Sequence, residues 1–150
     1  MKIFGFLRSK PQVVLDHPAF GKISLEQGKN GPYWMHDACD DDELCISIET
    51  RGDSPPTDRQ VNFFQNIVNN PDEVFARAAH LIAPRYYDFF RKSLPENWRE
   101  SFRLCGVGVP LDGSGTNDWD VAFESLVNRS GFLFTCYFEQ GYPVHVSVDT

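Results

Sequence analysis

Residues 131–149 read GFLFTCYFEQGYPVHVSVD and carry the pattern of a β-hairpin. Aromatic residues and a cysteine occupy every second position from Phe132 to Phe138, and valines occupy every second position from Val144 to Val148. Gln140-Gly141 lies between the two runs and is typical of a tight turn. Because successive side chains of a strand point to opposite faces, each run has one apolar face, and the pair predicts two antiparallel strands.

Similar apolar runs and alternations recur in the earlier parts of the chain. Further strands are predicted at Lys22–Glu26, Tyr33–Ala38, Leu44–Ile48, Phe102–Leu111 and Trp119–Phe123. Gly106 and Gly108 fall inside one of these strands, where glycine indicates a bulge or a close backbone approach.

The middle of the chain has helical patterns. Thr57-Asp58-Arg59-Gln60 is a capping box, in which a Thr hydroxyl and a Gln side chain bind the first backbone N–H groups of a helix. Asn70-Pro71 opens a second helix with an Asn cap and Pro in the first position. Pro84 is expected to end or kink that helix, which leaves a third helical segment at residues 85–93.

The order of strands, helices and strands predicts an α+β fold. We expect an antiparallel sheet of about six to seven strands, with two or three central helices packed on one face. The 150 residues fit one domain, with residues 1–15 at its periphery. Four cysteines occur without a C-x-x-C pair and predict buried free thiols.

The composition narrows the classes of partner. The chain has 14 basic and 21 acidic residues, a net charge of -7. Phosphate backbones and anionic membranes repel such a protein, so a basic protein is the better electrostatic match. The segment MKIFGFLRSKP has too short an apolar run for a secretory signal, and no stretch approaches the ~20 apolar residues of a membrane span. These features predict a cytoplasmic protein.

Acidic residues concentrate in two parts of the sequence. Five of them crowd one inter-strand segment: Asp37, Asp40, Asp41, Asp42 and Glu43. A second acidic region surrounds Asp118. If both lie at the same end of the sheet, they form one negative surface for a basic partner, with Trp34 and Trp119 as candidate aromatic anchors. The alternative is a solvated loop kept soluble by its charge.

The chemical signatures of metal sites and catalysis are incomplete. The run beginning at Asp112 lacks the Gly and the bidentate Glu of a calcium loop, since Asn117 and Phe123 stand there. His36, Cys39 and Cys45 do not have zinc-ligand spacing. We therefore expect no cofactor, no metal and no catalytic residue. Two alternatives stay open: a small enzyme with a site assembled by the fold around Cys105 or His145, and a structural or assembly subunit.

Several segments resemble those of small bacterial domains of unknown function. They are His17-Pro18-Ala19-Phe20-Gly21, Trp34, the helical centre and the closing hairpin, which together cover about residues 16–149. The resemblance implies an accessory or toxin-immunity protein, but none of these segments is a functional signature. The sequence thus predicts a non-enzymatic protein-binding module, and the resemblance adds that it is an immunity protein for a basic toxin.

Overall fold

The computed structural model describes residues 12–36 and 44–150. These residues form eight strands in one sheet, and the strands lie side by side in the order in which they occur along the chain. The strands are β1 Val14–His17, β2 Gly21–Gly28, β3 Gly31–His36, β4 Cys45–Glu49, β5 Phe102–Val109, β6 Trp119–Ser125, β7 Leu133–Glu139 and β8 Tyr142–Asp149. The α-helices are α1 Asp58–Asn69 and α2 Pro71–Phe90.

One pair of strands departs from the predicted antiparallel arrangement. β4 and β5 are parallel, with Ile48 beside Val109, whereas every other neighbouring pair is antiparallel. Helices α1 and α2 connect these two strands and return the chain to the end of the sheet where β4 began, as a parallel pair requires. The α+β prediction is confirmed, and the sheet is mostly antiparallel.

The strand count is eight because β1 belongs to the sheet. Val14 and Leu15 belong to the segment expected at the periphery, and they pair with Ser24 and Ile23 of β2 at the edge of the sheet. Leu15 also packs against the buried core. Only four residues long, β1 gave too short a pattern to be recognised as a strand from the sequence.

The capping box at the start of α1 is confirmed. Thr57 Oγ1 accepts a hydrogen bond from the backbone N–H of Gln60 at 3.2 Å, and Gln60 Oε1 accepts one from the backbone N–H of Thr57 at 3.0 Å. Gln60 is 2% exposed, so it also lies in the protein interior. Its Nε2 donates to the backbone oxygens of Glu49 at 2.8 Å and Pro110 at 3.1 Å. One side chain thereby joins α1 to the ends of β4 and β5.

Pro84 neither ends the second helix nor separates a third one from it. Helix α2 continues through Pro84 to Phe90, and Arg91 caps it in the left-handed conformation with a φ of 55°. Proline removes one backbone N–H and faces solvent, while the next turn places buried Tyr86 and partly buried Phe90 on the sheet. Burial of these aromatic rings stabilises the helix beyond the proline.

An aromatic core joins the helices to one face of the sheet. Phe75 of α2 stacks on Trp98 at 4.9 Å and contacts Phe123 of β6 edge-on at 5.1 Å. Phe102 and Phe134 continue the cluster toward the end of α2. Helices α1 and α2 cover this face, and residues 12–36 and 44–150 place no helix on the opposite face of the sheet, called here the open face.

Candidate functional site

A groove of about 570 Å³ runs over the open face, and its size falls within the range of ligand-binding clefts. The turn at residues 28–31 forms one end of this open-face groove. The side chains along it include Tyr33, Met35, Ser47, Glu49, Asp120 and Tyr137. On each strand these residues alternate with core residues such as Trp34, Ile48 and Val121, which places them on the open face.

Glycines allow the groove to form over the centre of the sheet. A Cβ atom on Gly108 would overlap Asp120 Oδ1, so the Asp120 carboxylate lies directly over the Gly108 backbone. A Cβ atom on Gly106 would lie 3.2 Å from the Cβ of Ala122. The pairing of β5 with β6 also shifts register between Leu104 and Gly106. The register shift agrees with the predicted bulge, whereas the close contacts at both glycines are with side chains and not with backbone.

Glu49 and Asp120 are the two carboxylates whose environment is most altered in the groove. Partial burial raises the pKa of Asp120 above its usual range. Partial burial also raises the pKa of Glu49, and the neighbouring carboxylates of Asp120, Asp112 and Asp118 add to the effect, although the backbone N–H of Leu111 opposes it. Burial therefore disfavours the charged form of both groups, and a bound cation would stabilise that form.

The charge of the groove is negative. Four carboxylates (Glu49, Asp118, Asp120 and Glu139) and one ammonium group, Lys29, belong to the lining residues. The ion pairs Arg99–Asp72 and Arg103–Glu124 involve none of these carboxylates.

Two of the acids at this end of the sheet also organise loops. Asp118 Oδ1 accepts a hydrogen bond from the backbone N–H of Gln140 at 3.2 Å. Asp112 accepts hydrogen bonds from the Asn117 side chain and the Ser114 backbone, which lower its pKa. Asp112 and Asp118 therefore have structural roles in loops. Glu49 and Asp120 are the stronger candidates for contact with a ligand because the pKa of each is raised.

The predicted partner-binding loop lies outside the described residues. That loop comprises Asp37, Asp40, Asp41, Asp42 and Glu43. The residues that flank it, His36 and Cys45, lie at the opposite end of their strands from Glu49. Asp118 precedes β6 at the Glu49 end of the sheet. A surface shared by Asp118 and the loop around Asp40 stays a prediction.

The two candidate aromatic anchors are buried on the helix-covered side. Trp34 is 1% exposed, and its indole N–H donates to the backbone oxygen of Ser54 at 2.8 Å. Trp119 is 6% exposed and stacks on Phe138 at 3.9 Å. Among the aromatic residues that line the open-face groove, Tyr33 and Tyr137 lie on the open face, whereas Trp119 borders the groove from the core.

Sequence reasoning did not single out Glu49, Tyr33 or Tyr137, and it considered Asp120 only as part of the incomplete calcium loop that begins at Asp112. The signal was present, because each occupies the polar or exposed side of an alternating strand. Their meeting depends on which strands are neighbours, and above all on the parallel pair β4–β5. The residue pattern of each strand taken alone does not predict which strands are neighbours in the sheet.

Cys105, proposed with His145 for an assembled catalytic site, is a poor nucleophile here, and so is Cys136. Burial raises the pKa of Cys105 to about 11 and that of Cys136 to about 12, so both are protonated near neutral pH. Cys105 Sγ donates to the backbone oxygen of Ala122 at 3.4 Å. His145 stacks on Tyr137, with a centroid distance of 5.8 Å.

Residues 12–36 and 44–150 bring together no group of three or more His, Cys, Asp or Glu residues that could hold a metal ion. Within the same ranges, no helix combines the length and the apolar character needed to cross a membrane.

Comparison with protein-family models, with curated proteins and with solved structures finds no match to this chain. Function is therefore inferred from the geometry and charge of the open-face groove.

Proposed function

We propose that this protein is a non-enzymatic binding module that holds a basic segment of a partner protein in the open-face groove. The observation that carries the proposal is the pair Glu49 and Asp120. Both face the same groove, and the pKa of each carboxyl is raised. A guanidinium or ammonium group between them would replace lost solvation with charge-assisted hydrogen bonds.

The groove also suits the aliphatic part of a basic side chain. Lys and Arg carry long apolar stems that pack on apolar surface while the charged head reaches a polar group. Tyr33, Met35 and Tyr137 supply such surface beside the carboxylates. Tyrosine is frequent at protein contact sites because its ring adds area at a low entropic cost.

A finer proposal concerns the identity of the partner. The resemblance to small bacterial domains implies an immunity protein that blocks a basic toxin. The overall charge of -7 supports this idea, because a negative protein and a positive partner attract each other over a distance and associate faster. Co-expression with the products of neighbouring genes, followed by co-purification, tests it.

The groove itself is tested with a defined probe. A short blocked peptide rich in arginine is titrated into the labelled protein and followed by NMR. We expect saturable shifts at Glu49, Asp120 and Tyr137. A double variant, Glu49→Gln with Asp120→Asn, should bind about tenfold more weakly or worse, since each charged hydrogen bond contributes about 1.5–3 kcal/mol.

Two controls separate the groove from general attraction. The variant Glu96→Gln with Glu100→Gln removes the same charge at two exposed positions outside the groove and should bind like the wild type. A peptide with citrulline in place of arginine keeps the shape without the charge and should not bind. Equal affinity of the groove variant and the control variant would rule out this function. A triple variant with Asp40, Asp41 and Asp42 changed to Asn tests the loop prediction separately.

A further inference from the structure

A second cleft, on the helix-covered side of the sheet, has the opposite charge. It lies between α1 and the loop at residues 112–117 and has a volume of about 490 Å³. Two arginines and two asparagines line it, with Phe63 and Trp119 among the apolar lining residues. The lining residues contain neither Asp nor Glu. This arginine cleft is therefore locally positive in a protein whose net charge is -7.

Helix α1 supplies one wall of the arginine cleft. Arg59, Asn62 and Asn66 are spaced three and four residues apart, so their side chains lie on one face of the helix. The Asn62 side chain is exposed and forms no hydrogen bond with the described residues, so its amide N–H groups are available to an acceptor. Arg59 lies in the first turn of α1, where a positive charge opposes the helix dipole. Its position is therefore not explained by the stability of the helix.

Helix α2 supplies the second arginine, and contacts fix its position. The Arg77 guanidinium donates to the backbone oxygen of Gly141 and lies 5.1 Å from the centre of the Phe138 ring. Phe138 in turn stacks on Trp119. Because these contacts hold the guanidinium in place, an anion that binds it costs less side-chain entropy.

From this arrangement we infer that the arginine cleft binds an organic oxyanion, a carboxylate or a phosphate, with a small apolar body. The two guanidinium groups and the Asn62 amide supply donors for the oxygens, since arginine matches the geometry of both anions. Phe63 and Trp119 offer the apolar lining. The charge of Arg59 helps to lower the pKa of Asp112, so these two groups attract each other. Asp112 nevertheless does not line the cleft. The arginine cleft and the open-face groove share only Trp119 among their lining residues, and the inference goes beyond the function proposed above.

The test is a titration of the full chain with phenyl phosphate and, separately, with benzoate. NMR follows the side-chain amides of Asn62 and Asn66, and sodium chloride at matched ionic strength gives the baseline. We expect saturable shifts for at least one of the two probes. Binding by only one of them identifies the preferred oxyanion, and binding by both shows that the shared charge suffices.

Variants decide whether the arginines are responsible. Arg59→Gln removes an exposed charge and should weaken binding about tenfold, as expected for loss of one charged hydrogen bond. Lys92→Gln removes the same charge beyond the far end of α2 and should leave binding unchanged. Arg77→Lys keeps the charge but not the planar donor pair, so it should bind with intermediate affinity. The inference would be overturned if neither phenyl phosphate nor benzoate gave saturable shifts. Equal binding by the Arg59→Gln and Lys92→Gln variants would also overturn it.

Discussion

Gly108 determines where the Asp120 carboxylate lies, because only a residue without a Cβ leaves room for Oδ1 over β5. We expect Gly108→Ala to lower the free energy of unfolding by about 1–2 kcal/mol, a typical cost of overpacking. In a background with Asp120→Ala most of that cost should vanish, since the clashing group is absent. Urea denaturation of the two single variants and the double variant measures this coupling.

Gly115→Ala is a suitable control for the glycine experiment. A Cβ there would meet Phe63 at 3.8 Å, an ordinary contact distance. Its free energy of unfolding should stay within about 0.5 kcal/mol of the wild type. An undiminished cost of Gly108→Ala in the Asp120→Ala background would mean that the β5 backbone, not the carboxylate, resists the added methyl group.

The raised pKa of Asp120 has a consequence for stability. The folded protein keeps a proton on Asp120 at pH values where the unfolded chain has released it. The free energy of unfolding therefore falls as the pH rises from the usual value of 3.8 through the pKa of the folded protein. Asp120→Asn should remove this decline and gain stability relative to the wild type at neutral pH. Urea denaturation across a pH series measures both effects.

Asp112 gives the comparison of opposite sign. Hydrogen bonds from Asn117 and Ser114 lower the pKa of Asp112 in the folded protein. Ionised Asp112 therefore stabilises the folded protein at pH values above the usual pKa of 3.8, and this contribution is lost as the pH falls through the lowered pKa. Asp112→Asn should therefore lower stability at neutral pH. If both variants shifted stability in the same direction, the two carboxylates would not differ in the way the structure indicates.

At the level of elements, Gln60 combines a predictable role with one that the sequence does not show. The capping box follows from the spacing of Thr57 and Gln60, and it is present. The hydrogen bonds from Gln60 to Glu49 and Pro110 join residues 11 and 50 positions apart. Only the parallel crossover brings these carbonyl groups together, so no local pattern predicts the contact.

Gln60→Glu separates the two roles. Glutamate keeps the acceptor of the capping box but cannot donate to the backbone oxygens of Glu49 and Pro110. We expect the free energy of unfolding to fall by about 3 kcal/mol, because two buried acceptors lose their partner and a charge is buried. Thr57→Ala should cost only about 1 kcal/mol, the usual value for a lost cap. Equal losses in urea denaturation would show that the long-range contacts add little.

Pro84 and β1 show the limits of local patterns for this fold. Proline has a strong local effect, and the sequence therefore predicted a break that burial of Tyr86 and Phe90 overrides. β1 has too few residues for an alternation to be recognised, and its pairing with β2 makes it a strand. Strands with a clear alternation, such as β6 and β7, were predicted correctly because one of their faces is buried.

At the scale of the whole molecule, the net charge follows from the composition, but the positions of the charged side chains in the fold do not. The acidic region around Asp118 was recognised from the sequence. Its neighbours Glu49 and Asp120 come from strands on either side of β5, 71 positions apart. Two candidate sites of opposite charge result, the open-face groove and the arginine cleft, on opposite faces of one sheet.

The opposite charges of the two sites predict different responses to salt. For a basic peptide in the open-face groove, the local carboxylates and the net charge of -7 both attract, and salt screens both. For an oxyanion in the arginine cleft, the local arginines attract while the net charge repels, and screening beyond about 8–10 Å removes the repulsion first. Raising sodium chloride from about 20 to about 200 mM should therefore weaken the peptide much more than phenyl phosphate. Isothermal titration of the two ligands at several salt concentrations measures the two dependences, and equal slopes would contradict the assignment of each ligand to its own site.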